Sequence, residues 1–295
     1  MKRALVLSGG AARGAFQAGF LYRNKEKYDL IAGVSAGALN GAMVAQGKTD
    51  DLRKVWLEYA TNPNAVFKSK AIRQDGTLSL WGILREAIAR WPMASLASSD
   101  PLKELIEKFI IADDIKTPLI VGATSLSNFE YHAISSERID EENFYRALLA
   151  SSSFPVVFAP VYVCSNYELY GNLADGGISG SSLSDAVNWI RNNDAISEWH
   201  IDIISTYRNS LNFRRPAKNI IESLYRTARV VINEARKRDL KLFIDRNKMG
   251  RYKDFSYRVI KPSNQLPANW DFTAPSITQS WSHGVETANK LQTEQ

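Results

Sequence analysis

The sequence Gly33-Val34-Ser35-Ala36-Gly37 follows an apolar segment, Leu30-Ile31-Ala32, and precedes a helix-forming run at 38–45. A serine between two glycines at a strand-to-helix junction is the pattern of a nucleophile elbow. Small residues are needed because so sharp a turn leaves little room beside the backbone, and the serine hydroxyl then stands free. The helix also directs its N-terminal N–H groups and positive dipole end towards the serine. Taken alone, these five residues fit an ordinary Gly/Ser-rich turn equally well, so the rest of the chain decides.

A second glycine-rich turn lies upstream of the first. The strand-like segment Arg3–Leu7 leads into Ser8-Gly9-Gly10-Ala11-Ala12-Arg13-Gly14, which an amphipathic helical segment follows. Consecutive glycines after a strand expose backbone N–H groups that can hold an anion, either a nucleotide phosphate or the oxyanion of an acyl transfer. Neither the dinucleotide nor the P-loop fingerprint is present, which disfavours a nucleotide. Arg13 is placed either to touch the anion or to fix the loop by bonding carbonyl groups.

An aspartate beside two glycines forms a third motif. Ala174-Asp175-Gly176-Gly177 follows the strand-like segment 169–173, which places Asp175 to reach a serine at a neighbouring strand end. Taken alone, an ordinary Asp-Gly turn explains this motif better. Between the serine and the aspartate lies Ala150-Ser151-Ser152-Ser153-Phe154-Pro155, a helix end whose small residues allow the backbone to approach the site closely.

These four blocks, in this order, resemble the patatin-like phospholipase family over residues 3–180. The resemblance implies a three-layer α/β/α fold with a mostly parallel central sheet, and a serine–aspartate dyad that hydrolyses lipid acyl esters. Carried over residue by residue, it makes Ser35 the nucleophile and Asp175 the base. The other motif residues take supporting roles: Gly9, Gly10 and Ala11 as oxyanion-hole donors with Arg13 beside them, Gly33 and Gly37 in the elbow, and Gly176 and Gly177 next to the aspartate.

Two departures from the family pattern concern the shape of the site. Ala11 stands where a third consecutive glycine is usual, and it keeps the same backbone only if its φ angle is negative. After Asp175, the segment Ser179–Leu183 replaces the usual Asn-Pro, which changes the cleft without touching the dyad.

The chemistry of ester cleavage accounts for the same residue types. A serine hydroxyl is a poor nucleophile until a base takes its proton, and the developing oxyanion needs donors worth about 3 kcal/mol each. An aspartate with an ordinary pKa of about 4 is a weak base. It becomes adequate when it touches the hydroxyl directly in a dry site, because desolvation raises its proton affinity.

A histidine is the alternative base, and the chain has three: His132, His200 and His283. The order Ser35, Asp175, then His200 or His283 fits a Ser-Asp-His triad. Scarcely one βα unit precedes Ser35, however, whereas the elbow of α/β-hydrolases follows several strands. We therefore expect all three histidines to be structural or exposed.

The layout of the chain favours one α/β domain over residues 1–295, in which 206–295 form a helical extension packed on the same domain. Alternating strands and helices predict a mostly parallel sheet with helices on both faces, and the site at the carboxyl ends of its strands. The polar stretch 61–76, interrupted by Pro63, is expected to be a surface loop or a lid. Strands are predicted at 3–7, 30–32, 119–123, 129–134, 160–164, 169–173, 200–205 and 256–260, and helices at 15–27, 38–46, 52–60, 80–90, 101–111, 141–151, 184–192, 217–246 and 277–292.

Several classes of protein are disfavoured by composition. The single Cys164 rules out an intrachain disulfide, no Cys/His cluster predicts a metal, and no organic cofactor is implied. No apolar run reaches the roughly 18 residues of a membrane span. Lys2-Arg3 and the apolar residues after it imitate a signal peptide, but the run is short and cleavage would remove the glycine loop. We expect a cytoplasmic protein, with delivery out of the cell by a route without a cleaved signal left open.

Positive charge is concentrated in one region of the chain. The net charge is +6, yet residues 214–253 alone carry 13 Lys/Arg against four acidic residues, which leaves −3 for the remainder. A basic amphipathic helix here could bind peripherally to an anionic membrane surface. The pattern favours a helix that covers the sheet with its basic side in water, and membrane contact is kept as a prediction. A nucleic-acid partner is not expected, since no binding motif accompanies the charge.

The sequence thus predicts a serine acyl hydrolase that acts on phospholipid or related acyl esters through an acyl-Ser35 intermediate. Thioesterase, transacylase and small-ester esterase activities use the same dyad and remain alternatives. A non-catalytic lipid- or nucleotide-binding module, whose glycine loops only hold an anion, is the alternative from another class. The oligomeric state is left open.

Overall fold

In the part of the chain that the computed structural model describes, one sheet of eight strands is covered by helices. The described residues are 1–73, 75–77, 79, 81–83, 85, 95–164, 169–208, 216, 220–249 and 255–293. The strands are β1 Lys2–Leu7, β2 Leu30–Val34, β3 Leu119–Ser125, β4 Tyr131–Ser135, β5 Val161–Cys164, β6 Leu169–Asp175, β7 Trp199–Ile204 and β8 Ser256–Ile260. The helices are α1 Gly14–Asn24, α2 Ala36–Ala45, α3 Leu52–Lys54, α4 Asp100–Phe109, α5 Glu141–Ser151, α6 Ser182–Asn193, α7 Ile220–Lys248 and α8 Ala274–Thr293.

The strand order of the sheet is β5-β6-β3-β2-β1-β7-β8, and β4 pairs with β3 outside this path. The five strands from β3 to β8 along this order are parallel, whereas β4, β5 and β6 pair antiparallel. Strand β4 lies along one edge of β3, and it pairs with β3 residues that also pair with β2 or β6. Strands β2 and β6 therefore share the other edge of β3. The last pair of β2 is Val34 with Gly122, and the end of β6 pairs Asp175 with the next residue, Ala123. Two strand ends from distant parts of the chain therefore abut on one edge of β3.

Alternating side chains bury both faces of the sheet, as strand geometry requires. On β1, Leu5 and Leu7 join a core with α1, α2 and α8, while Ala4 and Val6 join a second core with α6 and α7. The same alternation on β2 sends Ile31 to the first core. The predicted three-layer α/β/α class with a mostly parallel central sheet is confirmed.

The predicted strands all occur, with ends that differ from the prediction by at most two residues. The helix predicted at 52–60 is α-helical only over Leu52–Lys54 and continues as a π-helix over Val55–Tyr59. Most of the helix predicted at 80–90 lies outside the described residues, of which 81–83 and 85 are helical. The predicted hairpin turn at Asn166 also lies outside them, although β5 and β6 do pair antiparallel.

The stretch 61–76 is not the surface loop that its polarity predicts. Val66, Phe67, Ala71 and Ile72 are buried in the first core, and the Phe67 ring contacts the rings of two aromatic residues from the C-terminal region, Trp270 and Phe272. Lys68 also pairs with Ser98 through backbone hydrogen bonds. Four apolar residues spaced without a helix or strand period fix this segment, and average polarity does not detect such anchors.

The C-terminal region packs onto the same sheet. β8 adds a parallel strand beyond β7, and α8 crosses α1 so closely that a Cβ at Gly19 or Gly284 would collide with the backbone of the other helix. These contacts agree with one domain over 1–295, which stays a prediction. None of the helices in the described part of the chain has both the length and the apolar character needed to cross a bilayer.

Candidate active site

Ser35 lies in the turn between β2 and α2. Its backbone is strained, with φ 57° and ψ −132°, outside the conformations that most residues favour. The Ser35 N–H donates to Ser151 Oγ at 2.9 Å, and the Ser151 hydroxyl in turn donates to the Gly122 carbonyl at 2.7 Å. A buried side chain from the end of α5 thus holds the strained turn against β3.

Close packing explains the two elbow glycines. A Cβ at Gly33 would lie 2.6 Å from the Gly37 carbonyl oxygen, and a Cβ at Gly37 would lie 2.6 Å from the Leu7 carbonyl oxygen. Neither glycine has a positive φ angle, so space rather than backbone conformation excludes a side chain. The first turn of α2 can therefore lie directly against the end of β1 and the loop that follows.

Asp175 reaches Ser35 because β6 ends where β2 ends. The Asp175 N–H donates to the Ser153 carbonyl at 3.0 Å, and the carboxylate accepts the Gly177 N–H at 2.8 Å. The Ser35 hydroxyl lies near enough to this carboxylate to lower its pKa, and both residues line one pocket. Gly176 is needed because a Cβ there would collide with the Gly122 carbonyl. The two side chains, 140 positions apart in sequence, meet in one buried site.

The surroundings of Asp175 make it a stronger base than an exposed aspartate. Burial raises the pKa of its carboxyl above the ordinary value, and this effect exceeds three opposing ones: the Gly177 N–H, the Ser35 hydroxyl and the positive charge of Arg236. A raised pKa matches the carboxylate better to proton abstraction near neutral pH.

The first glycine-rich loop lies beside this pair. Its carbonyl groups point away to protein partners: Gly9 accepts from Thr206 Oγ1 at 2.6 Å and Gly10 accepts from Asn269 Nδ2 at 3.2 Å. None of the described residues accepts a hydrogen bond from the N–H groups of Gly9, Gly10 or Ala11. The loop and Ser35 line the same pocket, so these N–H groups are available to an anion there.

Ala11 does not have a negative φ angle, which was the condition for an alanine to fit the usual backbone of this loop. Its φ is 48°, in the left-handed region that favours glycine. The loop therefore keeps a conformation suited to a third glycine, and the alanine is strained.

Arg13 faces loop carbonyls rather than the pocket. Its Nε donates to the Pro267 carbonyl at 2.7 Å and its Nη2 to the Leu266 carbonyl at 3.3 Å, and the guanidinium lies over the Tyr207 ring. This is the second of the two roles that the sequence allowed, in which Arg13 fixes the loop. The side chain is not among the residues that line the pocket.

The pocket that contains Ser35 and Asp175 is large and mostly apolar. It encloses about 1300 Å³, including its open part, and is bounded by α2, the π-helical segment and α4. The apolar lining includes Leu39, Met43, Trp56, Leu105, Phe109 and Phe158. Such a cavity suits a long hydrocarbon chain next to the serine.

Several polar residues of the site were not predicted from the sequence. Ser151 lies in one of the four sequence blocks, where only its small size suggested a role. Asn233, Arg236 and Asn269 line the pocket from the C-terminal third of the chain, where the sequence carries no motif. Only the overlap of basic charge with a predicted helix drew attention to Arg236.

None of the three histidines lines this pocket. His200 pairs in register with Arg3 near the start of β1, at the far end of the strands from Ser35, and its ring contacts Asp202 and Ser256. His283 Nε2 accepts the Ser263 N–H at 3.1 Å. His132 lies on β4 with its ring against Tyr170. The structure therefore does not bring a Ser-Asp-His triad together.

Fold and site define a class: an α/β protein with a serine at a strand-to-helix elbow, next to a buried aspartate and a glycine-rich loop. A family model described as Patatin-like phospholipase matches residues 5–187. This range is more than half of the chain, which therefore belongs to the patatin-like phospholipase family.

Individual relatives are distant. The chain is similar to "Probable lipid hydrolase 463L" of Invertebrate iridescent virus 6, with 24% identity over 223 residues, 71% of this chain and 73% of that protein. It is also similar to VipD from Legionella pneumophila (14% identity, TM-score 0.41), covering 95% of this chain and 67% of that one. Similarity to the ExoU–SpcU complex of Pseudomonas aeruginosa is weaker (15% identity, TM-score 0.30), covering 97% of this chain and 52% of that one.

Proposed function

We propose that this protein is a lipid acyl hydrolase of the phospholipase A or lipase type, and that Ser35 and Asp175 form its catalytic dyad. The observation that carries the proposal is the position of Ser35 and the buried Asp175 in one pocket, where the Ser35 hydroxyl lies near enough to lower the pKa of the Asp175 carboxyl, beside N–H groups of the glycine loop that no described residue accepts. Family membership and the similarity to a probable lipid hydrolase support the same class of substrate.

The first half of the proposed reaction forms an acyl-enzyme. Asp175 takes the Ser35 proton while Ser35 Oγ bonds to the ester carbonyl carbon, and the carbonyl oxygen becomes an oxyanion. The N–H groups of Gly9, Gly10 and Ala11 stabilise this charge, each by about 3 kcal/mol in the transition state. Collapse of the oxyanion breaks the bond to the alcohol oxygen, and Asp175 returns its proton to that leaving group.

The second half releases the fatty acid. Asp175 takes a proton from water, whose oxygen attacks the acyl-Ser35 carbonyl. Collapse of the second oxyanion frees the carboxylic acid, and the Ser35 oxygen regains the proton from Asp175. The acyl chain occupies the apolar pocket throughout, next to Ser35, which supports lipid over short esters. No metal or organic cofactor enters these steps.

Release of free fatty acid from mixed phospholipid vesicles tests the proposal. We expect Ser35→Ala and Asp175→Asn to lose at least about 10³-fold in kcat, since each removes a member of a unit that acts together. Ser223→Ala and Asp113→Asn, which change exposed residues, serve as matched controls and are expected to stay active. Equal activity of Ser35→Ala and wild type would overturn the proposal.

A fluorophosphonate probe separates the dyad from a non-catalytic binding module. We expect it to label the wild type at Ser35 and to leave Ser35→Ala unlabelled, whereas a module without an activated serine is labelled in neither form. Assays with an acyl thioester and a short-chain ester, run in parallel with a phospholipid, separate the thioesterase, transacylase and esterase alternatives.

A further inference from the structure

Two donors on α7 are buried in the pocket without acceptors. Asn233 is only 4% exposed and lines the pocket, and its Nδ2 has no hydrogen-bond partner among the described residues. One helical turn later, Arg236 Nη1 is also buried and has no such partner. Residues three apart on a helix share a face, so both donors point to the same side of α7. Buried polar groups are usually paired, and an unpaired guanidinium N–H in a pocket is rare.

Arg236 lies beside the reacting groups rather than at the pocket wall far from them. A Cβ at Gly9 would lie 2.9 Å from Ser35 Cβ and 3.2 Å from Arg236 Nη2. A Cβ at Gly177 would lie 2.5 Å from the same Nη2 and 3.0 Å from Asp175 Oδ1. The guanidinium carbon also lies 4.9 Å from the centre of the Tyr207 ring, which supports the flat group from one side.

None of the described residues accepts a hydrogen bond from Asn233 Nδ2 or Arg236 Nη1. The Asp175 carboxylate accepts the Gly177 N–H, and Arg236 acts on that carboxylate through its charge. A guanidinium and a carboxamide side by side suit an oxyanion with several oxygens, and arginine in particular binds phosphate through paired N–H groups. Together they are poorly suited to a neutral ester group, which offers weaker acceptors.

We propose that Asn233 and Arg236 form a phosphodiester subsite, a proposal that rests on the proposed function. With the scissile ester at Ser35, this subsite selects phospholipids over neutral acylglycerols. The pocket then has two parts: an apolar part for the acyl chain, and this pair on α7 for the anionic phosphate close to the dyad. Both residues are specificity-determining residues, which bind the phosphate of the substrate and not the ester group that reacts.

The test compares two soluble substrates that differ by the phosphate group: dihexanoyl phosphatidylcholine and dihexanoylglycerol, both below the concentration at which they form micelles. Monomeric substrates remove any contribution from membrane binding by the basic region. The wild type and Arg236→Gln are both assayed at a pH high enough to keep Asp175 unprotonated, because loss of the Arg236 charge also raises the pKa of that carboxyl. We then expect Arg236→Gln to lower kcat/KM for the phospholipid about 10- to 100-fold and to change that for the neutral lipid less than 3-fold. Arg238→Gln, which removes the same charge from an exposed position of α7, is expected to change neither.

Asn233→Asp provides a second, nearly isosteric variant. It replaces the amide donor by a carboxylate that repels phosphate, so we expect a larger loss on the phospholipid than on the neutral lipid. An equal loss on both substrates in Arg236→Gln and Asn233→Asp would overturn the subsite, because the two residues would then act on the reacting groups or on folding. An unchanged ratio of the two kcat/KM values would overturn it too.

Binding gives a readout that does not need turnover. Ser35→Ala is titrated with the dihexyl ether analogue of the phospholipid, with the dihexyl ether of glycerol, and with inorganic phosphate. We expect the ether phospholipid to bind best and Arg236→Gln in the same background to remove that advantage. Phosphate binding as tight as the ether phospholipid would assign the pair to free phosphate instead. If the wild type hydrolyses neither substrate while the binding preference holds, the proposed function fails and the subsite stands.

Discussion

At the scale of single residues, two residues of the site have a strained backbone. Ser35 and Ala11 both have positive φ angles, and each lies in a loop whose N–H groups or hydroxyl face the pocket. Ser35 is held by Ser151, a side chain that bonds both to it and to β3. Backbone strain that neighbouring groups maintain is common where a catalytic group must be presented in one orientation.

Ala11→Gly is expected to stabilise the protein. An alanine in the left-handed region costs roughly 1–2 kcal/mol in the folded state. Glycine removes this cost, but its greater flexibility in the unfolded chain offsets part of the gain. We therefore expect the free energy of unfolding to rise by about 0.5–1 kcal/mol, measured by urea denaturation. Ala12→Gly is the control and is expected to be destabilising, since Ala12 is buried and does not share the positive φ angle. A loss of stability in Ala11→Gly would contradict the strain.

In the proposed mechanism, the acid limb of the pH–rate profile reports on Asp175. Because the proposed base must be unprotonated, and burial raises the pKa of its carboxyl, kcat/KM is expected to fall at a higher pH than for an ordinary aspartate. Arg236 lowers the same pKa through its charge, so Arg236→Gln is expected to move the limb to still higher pH. A limb at or below the ordinary value, or a shift to lower pH in the variant, would contradict this electrostatic assignment.

At the scale of secondary-structure elements, close contact between α2 and β1 determines where the serine stands. Gly37→Ala is expected to lower the free energy of unfolding by about 1–3 kcal/mol, because the new Cβ meets the carbonyl groups of Leu7 and Ser8, which are backbone and cannot move aside. Gly41→Ala in the same helix is the matched control. Its Cβ meets side-chain atoms of Ile31 and Leu119, and helix propensity favours alanine, so we expect little change. Equal losses in the two variants, measured by thermal denaturation, would contradict the packing argument.

The stability of the folded protein is expected to depend on pH through Asp185, on the side of α6 that faces α7. Asp185 on α6 is buried, accepts a hydrogen bond from Tyr131, and feels the negative charge of Asp239 on α7, and burial raises the pKa of its carboxyl to about 7. A folded-state pKa above the unfolded value of about 4 gives stability that is full below pH 4 and is lost as the pH rises to about 7.

Asp185→Asn tests this dependence. The amide keeps an acceptor for Tyr131 and cannot ionise, so the variant is expected to lose less stability than the wild type between pH 5 and pH 8. The difference amounts to roughly 2–3 kcal/mol. Urea denaturation at the two pH values measures it, and Asp194→Asn, at an exposed ion pair with Lys2, is the control. The same change in stability in wild type and Asp185→Asn would exclude Asp185 as the cause.

At the scale of the whole molecule, one helix serves both the core and the pocket. The C-terminal part of α7 packs over the sheet through Phe243, Leu240 and Ile244, as the covering interpretation of the basic region predicted. Further towards its N-terminus the same helix brings Asn233 and Arg236 into the pocket. Of the basic region at 214–253, residues 214, 215, 217–219 and 250–253 lie outside the described residues.

Binding of the basic region to anionic membranes remains a prediction. Because the surplus charge lies in this region, we expect the protein to sediment with vesicles that contain phosphatidylserine more strongly than with pure phosphatidylcholine vesicles, and less so at high salt. Replacing Lys237 and Arg238, both outside the proposed subsite, is expected to weaken binding by about 1 kcal/mol for each charge. Equal binding to neutral and anionic vesicles would refute the prediction.

The sequence predicted the parts of the molecule that depend on local spacing. Strands, elbow and loops follow from alternating apolar residues and from glycines at strand ends. The meeting of Ser35 and Asp175 does not follow from the rule for parallel strands, because β6 runs antiparallel to β3 and reaches Ser35 by ending where β2 ends. Residues 61–76 could not be predicted from polarity, because four scattered apolar residues bury them. Arg236 and Asn233 could not be assigned either, since the rotation of α7 about its axis depends on packing at Phe243, far along the helix.

The abutting ends of β2 and β6 also have a consequence for folding. Ser35 is made early in synthesis, but Asp175 follows 140 residues later and meets it only after β3 has paired with both strands. Under the proposed mechanism, a nascent chain that ends before residue 175 therefore carries a serine without its base. During refolding, the return of fluorophosphonate labelling should lag behind the return of the helical circular dichroism signal. The labelling would then report when β6 pairs with β3.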